Sequence, residues 1–394
     1  LRKKINLKKY KRVFIVGIGK GSALASATLA KILGRRLTGG IALDVSKLTT
    51  NCQLLTTFIG THPLPSEQNI KASLKIIELA KGLKREDLLI TFICGGGSAL
   101  FCGSELELIA SKTVFQKMTE AGAGIFELNA VRKHVSDIKG GGLAKIAYPA
   151  DVISLIASDV LGNDLSMVAS GPTVFDKTTK KDAEKILKKY GIKGLNLIET
   201  PKNKKYFKNV KNILFVSNRD AISAMAEKAK KTGFKPKIAS CILKGEARES
   251  LLPLMEAAKN REAVLAGGET TVILKSKIKN QKSKLQFKIK KLGKGGRNTE
   301  SVLGFLNFIQ NSKSSILNSI AISFASDGHD NTEAAGAIGD ALTLKKAEKL
   351  KLSPPNFLEN HDSFNFFKRT GDLIYADKES FNVADLMIVL KSNH

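Results

Sequence analysis

Four glycine-rich stretches hold the residues best suited to chemistry: GIGKGS (Gly17 to Ser22), CGGGSAL (Cys94 to Leu100), KGGGLA (Lys139 to Ala144) and GKGGRN (Gly293 to Asn298). Glycine lets several backbone N–H groups converge on one anion, and a helix N-terminus behind such a loop adds partial positive charge. One loop of this kind is usually only a tight turn. Four in one chain, two of them carrying Lys20 and Arg297, point to a polyphosphate ligand. The P-loop pattern GxxxxGK[ST] fails, because Lys20 is followed by Gly21 and Lys294 by Gly295. The dinucleotide pattern GxGxxG is nearly met by Gly17 and Gly19, but the third glycine arrives one residue early as Gly21. Asp44, at the end of the next apolar run, is then the candidate ribose-binding acid. A nicotinamide enzyme is therefore the alternative reading.

Acids at strand ends form the second signal. Asp159 closes VISLIAS and precedes Gly162, Asn163 and Asp164; Asp327 closes AISFAS and precedes Gly328, His329, Asp330 and Asn331. Ligands of open α/β sheets bind beyond the carboxyl ends of the strands. Mg²⁺ takes one or two carboxylates beside phosphate oxygens, so each acid is a candidate metal ligand or hydroxyl-orienting base. The plainer reading is a cap on the next helix or turn. In ELNAVRKHVSDIKGGG, Asn129, Arg132 and Lys133 lie one helical turn apart. The planar fork of Arg132 suits a carboxylate or phosphate, although a solvated surface helix has the same composition. His62, in the loop GTHPLPS, reads as structural, and His134, His329 and His361 lack metal-ligand spacing.

These residues need strands to position them. VFIVGIG is a continuous apolar run ending in glycines, the mark of a buried parallel strand. Residues Ser22 to Leu33 read as the helix that follows, ended by Gly34, with a second strand over Gly40 to Val45. Further strands are expected at Asp87 to Cys94, Asp151 to Asp159, Asn212 to Ser217, Glu262 to Ala266 and Ser319 to Ala325. Alternating strands and helices give an α/β protein of parallel or mixed sheets flanked by helices. The lysine-rich stretch between Gly191 and Val210 lacks periodicity, so the domains are read as 1–205 and 206–394. The strand and helix after it then open the second half. The alternation in TTVILKSKIKNQKSKLQFKIKKLGKGG predicts an antiparallel hairpin with Leu285, Phe287 and Ile289 on one face.

The 394 residues allow two or three domains. A net charge of +28 suggests nucleic acid until its distribution is considered. It is mostly dispersed lysine, the chain has no Trp and 6% aromatic residues, and no basic run is interleaved with aromatics for stacking. A specific nucleic-acid partner and a membrane are both excluded. Cys52, Cys94, Cys102 and Cys241 form no CxxC pair and read as reduced thiols of a cytoplasmic protein.

Taken together, GIGKGS, THPLPSEQN, CGGGSAL, the stretch from Glu127 to Ala144, SDVLGNDLSMVASGPTVFD, GGETTV, GKGGRNTE and ASDGHDNTEAAGAI occur in the order and approximate spacing of the class II glycerate kinases, which carry the MOFRL domain. The resemblance covers essentially the whole chain, through HDSFNFFKRTGDLI and NVADLMIVL. It implies two Rossmann-like α/β domains with the active site in the cleft between them, the MOFRL region spanning about residues 262–390. It implies transfer from ATP, with Mg²⁺, to D-glycerate to give 2-phosphoglycerate. Members have also been labelled hydroxypyruvate reductases, which keeps an NAD(P)H-dependent enzyme as the alternative. Lys20 and Arg297 match the family's lysine and its GGRN arginine, and are expected to act on the transferring phosphoryl group once the domains close. The expected site then has ATP phosphates on Gly95, Gly96, Gly97 and Ser98 and Mg²⁺ near Asp159. Glycerate's carboxylate lies near Arg132 and Asn129, or near Arg297, and Asp327 orients its hydroxyl. The small molecules D-glycerate and ATP are the expected partners, and a homodimer is compatible with the reading. The stretch between Thr271 and Gly293 is longer and richer in lysine than in the family.

Overall fold

A computed structural model describes residues 5–46, 48, 52–160, 162–273, 293–312, 318–376 and 382–392. The chain divides into two compact units, Leu1–Ser217 and Asn218–His394.

In the first unit the elements run β1 (Arg12–Ile18), α1 (Ser22–Leu33), β2 (Gly39–Asp44), β3 (Leu55–Ile59), α2 (Glu67–Lys81), β4 (Asp87–Ile93), α3 (Gly97–Leu100), α4 (Glu105–Glu120), α5 (Ile125–His134), α6 (Gly142–Ala147), β5 (Asp151–Ser158), α7 (Lys180–Lys189) and β6 (Val210–Ser217). The strands form one parallel sheet in the order β3-β2-β1-β4-β5-β6. The strand order reverses between β1 and β4. β4, DLLITFI, is buried along its entire length, as a central strand covered on both faces must be, which is why it reads as an unbroken apolar run. β3 and β6 are the edge strands, and β6 is only half buried.

The second unit comprises α8 (Asn218–Lys231), β7 (Lys235–Leu243), α9 (Leu252–Ala257), β8 (Glu262–Gly268), α10 (Arg297–Gln310), β9 (Ser319–Ala325), β10 (Gly336–Gly339), α11 (Ala341–Lys349), α12 (Pro354–Glu359), α13 (Ser363–Thr370), β11 (Leu373–Ile374) and β12 (Asp385–Lys391). Its sheet, β11-β10-β9-β12-β8-β7, is mixed: β7 and β8 are parallel, and β12 runs antiparallel between β8 and β9. Residues 326–335 are too few for a crossover, so β10 turns back antiparallel on β9. The core packs around α10, where Val302, Phe305 and Leu306 meet Phe366 and Phe367.

The expected strands fall where the apolar runs place them, within one or two residues at their ends, and among the described residues β3, β7, β10, β11 and β12 are strands that the sequence reading does not place. The sheet assignment of Asn212 to Ser217 differs from expectation. That segment pairs with β5 and belongs to the first sheet, while the helix after it packs on β7 and β8. It therefore closes the first unit instead of opening a second βα unit, and the units part at Ser217, beyond the lysine-rich stretch. The expected hairpin with Leu285, Phe287 and Ile289 lies outside the described residues.

A buried ion pair ties the first unit together behind β4. Lys139 Nζ binds the Glu107 carboxylate and donates to the Phe101 carbonyl at 2.7 Å, while the Gly103 N–H donates to Glu107 Oε2 at 2.8 Å. The two side chains are 1% and 4% exposed. Removing one partner leaves the other charge in an apolar interior, which costs about 3–5 kcal/mol. Glu107→Ala is therefore expected to lower the unfolding free energy of the first unit by about that amount in urea titration. A loss below about 1 kcal/mol, the value of an exposed pair, would contradict the assignment.

Candidate active site

The carboxyl ends of β1 and β4 lie side by side where the strand order reverses, the position at which open α/β sheets bind ligands. The loops leaving them touch backbone to backbone. Lys20 N–H donates to the Gly95 carbonyl at 2.9 Å, and Cys94 N–H to the Ile18 carbonyl at 2.9 Å. Gly19 has φ +113°, and a β-carbon there would fall 2.5 Å from the Cys94 carbonyl oxygen, so only glycine permits this approach.

Three side chains gather on the second loop. The Asp159 carboxylate, from the end of β5, occupies the space a side chain at Gly95 would need. The Lys20 stem and the His62 ring flank Gly96: a β-carbon there would lie 3.3 Å from Lys20 Cγ and 3.2 Å from His62 Cδ2. Lys20, Asp159 and the Gly95 to Ser98 loop thus come together, from segments that are far apart in the sequence. His62, read from its loop as structural, stands with them; spacing gave no hint of this, because β3 brings it in from the other side of β1. Burial and the charges of Asp44 and Asp159 push the Cys94 thiol well above its ordinary value, so it is inert at neutral pH.

Asp44 does not have the place a ribose-binding acid needs. It is 3% exposed. Its carboxylate accepts from the N–H groups of Gly21 at 3.2 Å, Ala23 at 3.0 Å and Val45 at 2.7 Å. It therefore caps α1, occupying the donors that would cradle a pyrophosphate in a dinucleotide-binding fold. Its pKa is raised by burial, against the lowering influence of these N–H groups. The first glycine loop accordingly offers the Lys20 side chain, while its own N–H groups are used within the fold.

The third loop also differs from its sequence reading. Lys139 is held by Glu107, and the N–H groups of Gly140 and Gly141 donate to the carbonyls of Ser170 (2.9 Å) and Gly171 (2.8 Å). The loop clasps another segment and binds no phosphate through these groups. On α5, Asn129 is buried and its Oδ1 accepts from Ser170 Oγ at 2.9 Å. Lys133 pairs with buried Asp176 at 3.2 Å. Arg132 is half buried, with its guanidinium 5.6 Å from the centre of the Phe115 ring. Burial alone lowers its pKa to about 10, and among the described residues no carboxylate pairs with it. A guanidinium held in this way is suited to receive an anion.

The second unit gathers its own charged cluster at the carboxyl ends of the central strands β8 and β9. β12 starts between the ends of β8 and β9, Asp385 opposite both Gly268 and Ala325. Arg297, the first residue of α10, donates through Nε and Nη2 to Asp385 and lies 3.1 Å from Glu269. Burial opposes its charge, but the hydrogen bond and charge of Asp385 outweigh it and hold the pKa above the ordinary arginine value. Asp385 and Glu269 were not singled out in the sequence; the acids in GGETTV and NVADLMIVL become visible only once the register of β12 is known. Asp327 accepts from the His329 N–H at 3.1 Å. Asp330 is buried and accepts from the N–H groups of Asn298 (3.0 Å) and Thr299 (2.9 Å), capping α10. Lys294 pairs with Glu333 and lies over Phe364. Among the described residues no three His, Cys, Asp or Glu side chains converge as a metal cage. A single strand-end carboxylate, Asp159, fits a cation that arrives on phosphate oxygens.

Comparison with known proteins gives the class first. A crystal structure of glycerate kinase from Thermotoga maritima matches 99% of this chain and 94% of its own, with a TM-score of 0.84 and 31% identity. Residues 1–200 match the family model described as a domain of unknown function, DUF4147, and residues 262–385 match the MOFRL family. A D-glycerate 2-kinase from Thermotoga maritima is 34% identical over 96% of this chain and 90% of its own length. A protein from Agrobacterium vitis, whose name assigns it only provisionally as a hydroxypyruvate reductase, is 34% identical over 96% of this chain and 87% of its own. The chain belongs to the glycerate kinase family that carries the DUF4147 and MOFRL domains.

Arg132 gives a test of the site that needs no substrate. At neutral pH its guanidinium is charged in both folded and unfolded chains, so the burial cost is present at every pH below about 10. Arg132→Met keeps the stem and removes the charge. The variant is expected to melt about 2–4 °C higher by calorimetry. A lower melting temperature would show that the guanidinium has a structural anion of its own.

Proposed function

We propose that the chain is an ATP-dependent kinase that transfers the γ-phosphoryl group to the 2-hydroxyl of D-glycerate. The observation that carries this reading is the meeting of Lys20 and Asp159 on the bare backbone of the Gly95 to Ser98 loop at the sheet's switch point. The ATP phosphates rest on Gly95, Gly96, Gly97 and Ser98. Lys20 supplies cationic charge to the group in transfer, and a cation acting there is worth about 10³ to 10⁵ in rate. Arg297 is the second cation, oriented by Asp385 and Glu269. Arg132 takes the carboxylate of the acid, with Asn129 beside it on α5. Asp327 orients the attacking hydroxyl.

In the transfer, a bond forms between the glycerate oxygen and the γ-phosphorus as the bond to the β-phosphate oxygen breaks; ADP leaves and the hydroxyl proton is released. Asp159 is the residue that would hold Mg²⁺, which when bound neutralises charge on the phosphate oxygens. The substrates are small molecules. No helix of the described residues is long and apolar enough to cross a membrane, and we place the enzyme in the cytoplasm.

Hydroxypyruvate reduction is the second reading, and Asp44 speaks against it. A nicotinamide cofactor bound in the dinucleotide manner needs the N–H groups at the start of α1, which Asp44 holds. The expected result is release of ADP from ATP on addition of D-glycerate, with 2-phosphoglycerate identified by phosphorus NMR. No NADH or NADPH should be oxidised with hydroxypyruvate. Lys20→Ala and Arg297→Ala are each expected to lower kcat by about 10³ or more while remaining folded. Near-normal turnover in both variants would remove the mechanism. Arg132→Met should raise KM for D-glycerate by about tenfold or more, in line with a lost charge-assisted pair.

A further inference from the structure

The clasp formed by the third glycine loop holds an unusual piece of backbone. Ala169 and Ser170 both adopt left-handed conformations, φ 51° and 58°, and Gly171 follows at φ 60°. Two consecutive non-glycine residues in this region persist only where the surroundings impose it, and such backbone clusters at functional sites. Here the surroundings are the Gly140 and Gly141 N–H groups on the carbonyls of Ser170 and Gly171. The result is that Ala169 packs against the Cα of Gly97, where an added β-carbon would lie 2.5 Å from Ala169 Cβ, and Ser170 Oγ lies 2.8 Å from Ser98 Oγ.

Proton accounting gives this contact a direction. Ser170 is fully buried and has one hydroxyl proton. It donates that proton to Asn129 Oδ1, an oxygen that can only accept. Ser98 must therefore donate to Ser170. Ser98 is the partly exposed member of the pair, so its proton points inward and its lone pairs outward. The backbone N–H groups of the loop are donors, suited to phosphate oxygens; Ser98 Oγ, with its proton used, is an acceptor suited to a cation.

We infer that Ser170 is a positioning residue: with Asn129 it turns the lone pairs of Ser98 toward the divalent cation that accompanies the nucleotide. This rests on the kinase reading above. Asn129 thereby acts through Ser170 as well as from its place beside Arg132. The relay makes no covalent change and needs no strain from substrate; it biases one hydroxyl rotor.

The test is nucleotide binding without turnover. Calorimetric titration of the full chain with ADP, in EDTA and in excess MgCl₂, gives two dissociation constants whose ratio measures how strongly metal and nucleotide support each other. Ser170→Ala is expected to leave the metal-free constant within about twofold and to reduce the ratio by about five- to tenfold, the effect of one hydrogen bond. Ala169 shows that alanine is accepted in this backbone conformation, so the substitution adds no new strain. Asn129→Leu frees the Ser170 proton for Ser98 and should reduce the ratio equally, whereas Asn129→Asp, which still accepts, should restore most of it. An unchanged ratio in Ser170→Ala would overturn the inference. So would an equal weakening of both constants, which is what loss of loop structure alone produces. If the unsubstituted protein binds no ADP in either condition, the kinase reading itself fails, and the inference with it.

Discussion

The structure of the first unit depends on one close contact, the approach of the Gly19 backbone to the Cys94 carbonyl where the parallel sheet reverses its order. A side chain at Gly19 would hold the loops after β1 and β4 apart and break the hydrogen bond from Lys20 N–H to Gly95. With the loops in contact, a lysine from one strand end sits over the bare backbone of the next, and Asp159 fills the space left at Gly95. The site is thus assembled from residues that each owe their place to a different strand end. The loop after β4 runs directly into the short α3, whereas the N-terminus of α1 is taken by its own acid.

The electrostatics of the two units differ in a way that net charge conceals. The chain carries +28 overall, yet its key cations are individually controlled. Lys139 and Lys133 are buried against single carboxylates and serve the fold. Arg297 stands between two acids, one buried and one half exposed, which fix its plane and stabilise its charge. Arg132 has only the face of Phe115 beside it, and burial weakens its hold on its proton. Dispersed surface lysine explains the sum; the chemistry we propose rests on Lys20, Arg132 and Arg297, not on the two buried lysines.

The central parallel strands were legible because buried parallel strands are continuously apolar, as in DLLITFI and VFIVGI, whereas β3, β7, β10, β11 and β12 lack so plain a signal. Glycine loops and strand-end acids were legible for a related reason: close backbone approach and ligand-facing carboxylates need specific residue types at strand ends. Sequence could not say which glycine loop meets which. KGGGLA has the composition of a phosphate loop, but its N–H groups face the carbonyls of Ser170 and Gly171, some thirty residues on. Asp44 has the spacing of a ribose ligand, and a difference of direction makes it a cap. Ser170 and Asp385 lie within SDVLGNDLSMVASGPTVFD and NVADLMIVL, but nothing in those stretches singles them out; their places arise from a left-handed turn and from the register of β12, both of which are tertiary facts. The sheet membership of β6 was missed because pairing with β5 is decided by the far end of the chain segment, after a stretch without periodicity.

The central claim is that nucleotide phosphate binds the Gly95 to Ser98 loop beneath Lys20. The most direct measurement is a crystal structure with a non-hydrolysable ATP analogue. The account predicts its terminal phosphate against the backbone of that loop, with Lys20 Nζ within hydrogen-bonding distance of a phosphate oxygen. Phosphates seated on the N-terminus of α1, with Asp44 displaced, would contradict it.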